Sequence, residues 1–436
     1  MTDMIDLQPS GEETVLLIGI CLSRHADPTA QESLEELAQL CETAGATVTG
    51  TMVCRIGHRH AGTYIGEGKA AEIAALVAEK KIATVVFDEE LTPAQGRNLE
   101  AIFKTKVVDR TQVILDIFAQ HARTAEGRLQ IELAQLEYLL PRLRKMWTHL
   151  ERQKGGIGMH GPGEKQLEMD RRRIVENIQR HRQRLKEVQM RRSEQRRGRR
   201  RHGWALISLV GYTNAGKSTL INALTKAGVL AYDKLFATLD PTTRQLKLPN
   251  HQLALLTDTV GFIRKLPHHL VESFKATLEE VVQADLLVHV IDAAHPQVFH
   301  QIEAVEGVLR EIGAHEKNIM PAFNKVDDPA SAVNLPALRA RFPGAVEISA
   351  LRETGLDELR VHLADTLRNR SERLTLRVPL RDGKTLALLK TNATIVEETY
   401  EEEHVLMKAA VPITLSGVVA PYRLDPPVDN EYEHQH

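Results

Sequence analysis

At 436 residues the chain exceeds what one ordinary core can organise, and at about 100 to 200 residues per domain it suggests three units. A composition of 42% hydrophobic and 26% charged residues excludes a disordered or fibrous protein, and no apolar run outgrows the strand-sized Val15 to Leu22, which excludes a membrane-spanning helix. The net charge of −2 hides a local excess, because residues 171–201 hold 14 Lys or Arg against three Glu.

The acidic amino terminus lacks the basic and apolar regions of a secretion signal, so a cytoplasmic location is expected, peripheral to a membrane only through partners. Apolar runs then alternate with amphipathic segments: Thr14 to Leu22, Ser33 to Ala44, Ala46 to Cys54, Lys69 to Lys80 and Ile82 to Phe87. Such alternation predicts a parallel α/β sheet, with Gly45 stopping the helix that carries Leu34, Leu37, Ala38 and Cys41 on one face. Cys21, Cys41 and Cys54 match no disulfide or metal spacing and read as buried small hydrophobes.

From Glu126 to Leu150, Leu129, Leu133, Leu136, Leu140 and Leu143 step by four and three, the seam of a long helix that Pro141 can kink. A second helical stripe, Leu167, Ile174, Ile178, Leu185 and Val188, starts near Lys165. Between them the five glycines and one proline of Gly155 to Gly163 predict a loop, hence an antiparallel hairpin with a glycine-rich tip.

After Gly203 the pattern returns to α/β: strand Ala205 to Val210, helix Lys217 to Thr225, and strands Leu253 to Thr257, Leu286 to Asp292, Ile319 to Asn324 and Val346 to Ser349. A helix from Gly355 to Arg370, with a capping pair at Thr354 and Asp357, closes this part. Apolar runs around Arg381-Asp382-Gly383 and an acidic cluster from Glu397 to Glu403 predict a small mixed domain at the end. The expected class is α/β: an N-terminal α/β domain (1–125), a helical hairpin with a basic arm (126–203), a second α/β domain (204–371) and a small α+β domain with a flexible tail (372–436).

The chemistry lies in the third part. Gly211-Tyr212-Thr213-Asn214-Ala215-Gly216-Lys217-Ser218-Thr219 has the spacing of a P-loop and falls directly after a strand and before a helix. Its glycines let successive N–H groups converge on phosphate, Lys217 adds an ammonium, and Ser218 is placed to ligate Mg²⁺. Base choice falls to Asn324-Lys325-Val326-Asp327: the Asp327 carboxylate accepts from both donors of a guanine edge, which adenine lacks, so the nucleotide is GTP or GDP. Asn324 and Lys325 would hold that loop and cover the ring, while Ser349-Ala350-Leu351 can offer an N–H to the guanine carbonyl.

Two further segments complete the expected site. In Asp258-Thr259-Val260-Gly261, Asp258 reaches Mg²⁺ through water and the Gly261 N–H senses the terminal phosphate. In Phe236-Ala237-Thr238-Leu239-Asp240, Thr238 ligates Mg²⁺ only while the γ-phosphate persists. Lys217, Thr238 and Gly261 are thus the expected catalytic groups, but Phe262 stands where many GTPases place a water-orienting Gln. Slow intrinsic hydrolysis follows, with a partner, another side chain or a cation activating it; Asn214 is the candidate ligand for K⁺.

The basic arm at 171–201 can neutralise several phosphates, with too few acidic residues for a self-paired helix face and few aromatics for base stacking. Structured RNA is the expected partner.

Asp109-Arg110-Thr111 with Ile114 to Phe118, Glu126 to Leu136, Leu140 to Leu143, Gly161 to Glu164 and Gln166 to Glu168 lie outside any generic GTPase pattern. Together with the wording of Gly211 to Ser218 and Phe236 to Thr242, they resemble the HflX family of ribosome-associated P-loop GTPases over nearly the whole chain, and a hydrophobic residue at 262 fits a branch of it. The resemblance implies binding to the large ribosomal subunit, GTP hydrolysis stimulated there, and separation of stalled 70S ribosomes, notably under heat stress. It also implies that the tip at 155–163 approaches the peptidyl-transferase region while the arm follows ribosomal RNA; His160 and Lys165 depart from the commoner family residues. ATP binding by the N-terminal domain is a further family property, but no second P-loop is present. RNA remodelling and ribosome assembly are the competing functional readings.

Overall fold

The computed structural model describes residues 13–22, 28–143, 162–201, 204–226, 235–236, 242–249, 253–265, 267, 275–368, 371–412 and 415–424. Packing divides the chain into two compact units, one of residues 1–187 with 232–240 and 265–275, the other of 188–231, 241–264 and 276–436.

In the first unit, β1 (Thr14–Cys21), β2 (Thr47–Arg55), β3 (Thr84–Phe87) and β4 (Lys106–Asp109) form a parallel sheet in the order β2-β1-β3-β4. The central β1 is buried almost throughout, as a strand covered on both faces must be. Helices α1 (Pro28–Ala44), α2 (Glu67–Lys80), α3 (Pro93–Phe103) and α4 (Arg110–His121) make the connections. The first starts at Pro28 rather than Ser33, since proline is tolerated in a first turn whose N–H groups have no intrahelical acceptor. Thr92 starts α3 with a capping box to Gln95, and the Asp109 carboxylate starts α4 by accepting from the Gln112 N–H. All three cysteines are buried free thiols.

Helices α5 (Ala125–Leu143) and α6 (Pro162–Arg201) pair through Leu133, Ile178 and Leu185, flanked by Leu129, Leu136, Leu140 and Ile174. Pro141 lies inside α5, near the end of its described residues, where it removes one N–H from the helical ladder. The expected loop does not reach Gly163: Pro162 and Gly163 already belong to α6, because proline's fixed φ suits a first helical position. The tip residues 155–161 lie outside the described residues.

The second unit holds a six-stranded sheet in the order β10-β9-β8-β5-β7-β6, built from β5 (Ala205–Val210), β6 (Thr242–Lys247), β7 (Leu253–Asp258), β8 (Leu286–Asp292), β9 (Ile319–Asn324) and β10 (Val346–Glu347). All pairs are parallel except β6 with β7. β10 stops two residues short of its expected end because Ser349 pairs back onto Thr354 in an isolated bridge. Helix α7 (Lys217–Thr225) has its expected bounds.

A three-stranded antiparallel sheet follows, β11 (Ser371–Pro379), β12 (Thr394–Tyr400) and β13 (His404–Pro412) in the order β11-β13-β12, with a helix at Gly383–Asn392. Three of the five glutamates in its acidic cluster are paired locally: Glu397 with Lys408 at 2.9 Å, Glu398 with Lys390 at 2.7 Å and Glu401 with Arg377 at 2.9 Å.

Candidate active site

In an open parallel sheet, loops at the carboxyl ends of the strands line a crevice where ligands bind. β5, β7, β8, β9 and β10 all deliver site residues to that edge.

At the end of β5 the chain turns through Gly211, where a Cβ would stand 2.3 Å from the Val290 carbonyl oxygen. The turn closes at Gly216, whose φ of +90° is left-handed and whose Cβ would meet Asn324 Nδ2 at 2.3 Å, so only glycine fits. Helix α7 then presents its first N–H groups to the loop, with Lys217 and Ser218 in its opening turn.

Lys217 is buried, and its Nζ donates to the carbonyls of Gly211 at 3.1 Å and Tyr212 at 2.7 Å. Burial pushes its pKa down to about 8, against the opposing pull of Asp258. An ammonium held this way, among carbonyls at the mouth of a helix N-terminus, is matched to polyanionic phosphate.

Ser218 Oγ donates to Asp258 Oδ2 at 2.7 Å. A hydroxyl and a carboxylate brought together beside the phosphate loop are the hard oxygen donors that Mg²⁺ takes, and among the described residues no group of three or more His, Cys, Asp or Glu forms a cage of its own. The residues therefore fit a magnesium ion that shares its shell with phosphate and water. Thr238, with Ala237, Leu239 and Asp240, lies outside the described residues.

The strand β7 leads past Thr259, whose hydroxyl donates to the Leu209 carbonyl at 2.5 Å, to Gly261. There the chain is sewn to the phosphate loop: the Phe262 N–H donates to Gly211 O at 3.1 Å, the Thr213 N–H donates to Phe262 O at 2.8 Å, and the Arg264 N–H donates to the Tyr212 hydroxyl at 2.9 Å. Phe262 is 1% exposed, a core residue with no path to an attacking water.

At the base end, Asn324 is the joint. Its Nδ2 donates to Ala215 O at 2.8 Å, and its Oδ1 accepts from the Ala350 N–H at 2.9 Å, so one side chain ties the phosphate loop to the segment after β10. Lys325, with a left-handed φ of 62°, is held by Asp292 Oδ2 at 2.7 Å. Asp327 keeps a partly exposed carboxylate, with Arg352 Nε at 3.9 Å. The Ser349 N–H goes to Thr354 O and the Ala350 N–H to Asn324, so of the expected tripeptide it is Leu351 whose N–H has no partner among the described residues.

Sequence reasoning missed three features. Asp292 ends β8 and anchors Lys325, a contact between neighbouring strands that no linear motif announces. His289, buried in the same strand, is kept neutral with a pKa pushed down to about 3, first by burial and then by the Lys217 and Arg341 charges. In the first unit, Lys265 pairs with Asp88 at 2.5 Å and Glu89 at 2.6 Å, and Asp88 also accepts from Ser33 at 2.6 Å and from the buried Arg110 at 2.8 Å. Phe236, expected beside the nucleotide, is a buried member of that unit, edge-on to Phe118 with ring centroids 4.6 Å apart.

Family comparison matches residues 31–119 to the N-terminal region of GTP-binding GTPases, 121–199 to their middle region, and 206–325 to the 50S ribosome-binding GTPase family. The chain is 45% identical to the GTPase HflX of Lacrimispora saccharolytica, covering 96% of this chain and 98% of that one. It is 44% identical to the GTPase HflX of Escherichia coli, covering 94% and 96%. Among solved structures it resembles a GTP-binding protein of the archaeon Sulfolobus solfataricus in complex with GDP, at 26% identity and a TM-score of 0.41, over 81% of this chain and 98% of the other.

Proposed function

The chain belongs to the HflX family of GTPases and hydrolyses GTP to GDP and phosphate; from that premise we propose that it binds the large ribosomal subunit and splits stalled 70S ribosomes. The observation that supports the finer reading is the sequence of α6, where residues 171–201 hold 14 Lys or Arg against three Glu directly before the segment matching ribosome-binding GTPases. Such an arm suits the phosphate backbone of structured RNA. No helix among the described residues is long and apolar enough to cross a membrane.

In this reading the amides of residues 214 and 216–218 and the Lys217 ammonium hold the phosphates, and Asp327 selects guanine. Ser218 would hold Mg²⁺ directly and Asp258 through water, with Thr238 joining while the γ-phosphate persists; the ion would supply positive charge to spread what develops on the transferred group. The Gly261 N–H reports the γ-phosphate, Asn214 contributes to a K⁺ site, and turnover is slow until the ribosome stimulates it. GTP then favours the subunit-bound form, and hydrolysis permits release.

Sedimentation of 70S ribosomes with the protein and GTP tests this: conversion to free subunits is expected, and intact 70S peaks at saturating protein would refute it. Charge reversal at Arg171, Arg172, Arg180 and Arg184 separates the alternatives. Loss of subunit binding and splitting favours the ribosomal reading, whereas splitting retained while unwinding of isolated RNA duplexes is lost would assign the arm to RNA remodelling instead.

A further inference from the structure

Recognition of a base asks two things of the segment after β9: a carboxylate facing the guanine edge and a surface facing the plane of the ring. The first falls to Asp327 and the second to the aliphatic stem of Lys325. A lysine stem is flexible, and its rotamer freedom in water works against a fixed wall.

The structure removes that freedom at both ends of the side chain. At the backbone, Lys325 holds a left-handed φ of 62°, a conformation that a non-glycine residue keeps only where its surroundings enforce it. At the tip, the ammonium sits 2.7 Å from Asp292 Oδ2. Asp292 is itself braced. It is 8% exposed, and its Oδ1 accepts from the Ala294 N–H at 3.1 Å, which fixes the direction of the second oxygen. The next residue joins the two strand ends, since the Ala293 N–H donates to Asn324 O at 3.0 Å. Asn334, on the helix Ser331–Arg341, holds the same turn from its other side: its Nδ2 donates to Ala293 O at 2.9 Å and to His295 O at 3.0 Å. An ion pair that only balances surface charge contributes little and needs no such bracing.

We infer that Asp292 is a positioning residue for the nucleotide base: it holds the Lys325 ammonium so that the stem lies as a wall along the purine ring, while Asp327 reads the edge. The inference rests on the reading of Asn324 to Asp327 as the base-recognition segment. Because the base takes no part in the bond that breaks, the contact is the same before and during hydrolysis and acts as uniform binding. Asp327 then sets which base is preferred, and Asp292 sets how tightly the ring is held.

The test combines Asp292→Asn, which keeps the acceptor for Ala294 and removes the charge facing Lys325, with Lys325→Ala, all in the full-length protein. Affinities for GDP and IDP are measured by calorimetry, and GTP hydrolysis by steady-state kinetics. Asp292→Asn is expected to weaken GDP and IDP by the same factor of about five, the upper end for a partly exposed pair, leaving their ratio unchanged. KM for GTP should rise by about that factor, with kcat within about twofold of wild type. Lys325→Ala weakens GDP by itself, and adding Asp292→Asn to it should change the affinity by less than about twofold. An equal loss with and without Lys325 would make Asp292 a prop for the fold alone and overturn the inference. Unchanged GDP affinity in either single variant, or a loss in kcat rather than in KM, would overturn it too. Wild-type protein that binds GDP no better than ADP would instead overturn the base-recognition reading beneath it.

Discussion

Replacing Asn324 by alanine should uncouple the two ends of the nucleotide site. The residue is 2% exposed and makes two buried bonds, to Ala215 O at 2.8 Å and from the Ala350 N–H at 2.9 Å. Alanine leaves one backbone acceptor and one backbone donor dry, at about 1–3 kcal/mol each. Because both bonds share a side chain the costs overlap, and about 2–4 kcal/mol is expected in total. At a urea dependence of about 2 kcal/mol per molar, the midpoint of the unit carrying this sheet should fall by about 1–2 M. Asn324→Asp separates the two roles: it keeps the acceptor for Ala350 but sets a carboxylate oxygen against the Ala215 carbonyl, so it should cost at least as much at neutral pH. GDP affinity, measured by calorimetry, should drop in both variants as the phosphate loop loosens. Midpoints within about 0.3 M of wild type, with GDP affinity intact, would show that Asn324 does not join these segments.

Asp327→Asn exchanges a carboxylate for an amide that can donate to the second carbonyl of xanthine, so affinity should shift from GDP towards XDP by at least about tenfold, read by competition titration. An unchanged ratio would remove Asp327 from base selection. His289 titrates near 3 when folded and near its ordinary value when unfolded, so between those limits only the unfolded chain takes up the proton and stability falls as pH drops. His289→Leu should therefore lose about 2 kcal/mol less than wild type between pH 7 and pH 5, measured as unfolding free energy; parallel pH profiles would refute this. Arg110→Met leaves the buried Asp88 and its neighbour Glu36 short of a cation, and about 3 kcal/mol of stability in the first unit should be lost. Hydrogen exchange in α1 and α4 would report it, and unchanged protection would mean that Lys265 alone satisfies Asp88.

Much of this was legible where the chemistry is local. Gly211 to Ser218 and the helix Lys217–Thr225 announce themselves because phosphate binding needs glycine, lysine and serine at fixed spacing along one turn. The parallel sheet of the first unit is legible for a similar reason: its strands are short apolar runs separated by helical periodicity. Legibility fails where partners meet across strands. Asp292 and Lys325 lie on adjacent strand ends, and Lys265 is 177 residues from Asp88, so neither pair leaves a trace in neighbouring sequence. Phe236 likewise packs edge-on against the buried Phe118, a distant partner that its own segment does not announce. Pro162 and Gly163 look like loop residues by composition, yet the first turn of a helix tolerates both.

The burial of Phe262 also narrows the paths this lineage can follow. In a GTPase whose corresponding side chain faces solvent, a single codon change can install or remove a water-orienting amide, and catalytic rate can drift quickly under selection. Here both backbone groups of residue 262 are committed to the phosphate loop and its ring lies in the core. A glutamine arriving there would strand a dry amide and weaken the fold before it reached any water. Faster hydrolysis must therefore be recruited from a group other than the side chain at 262.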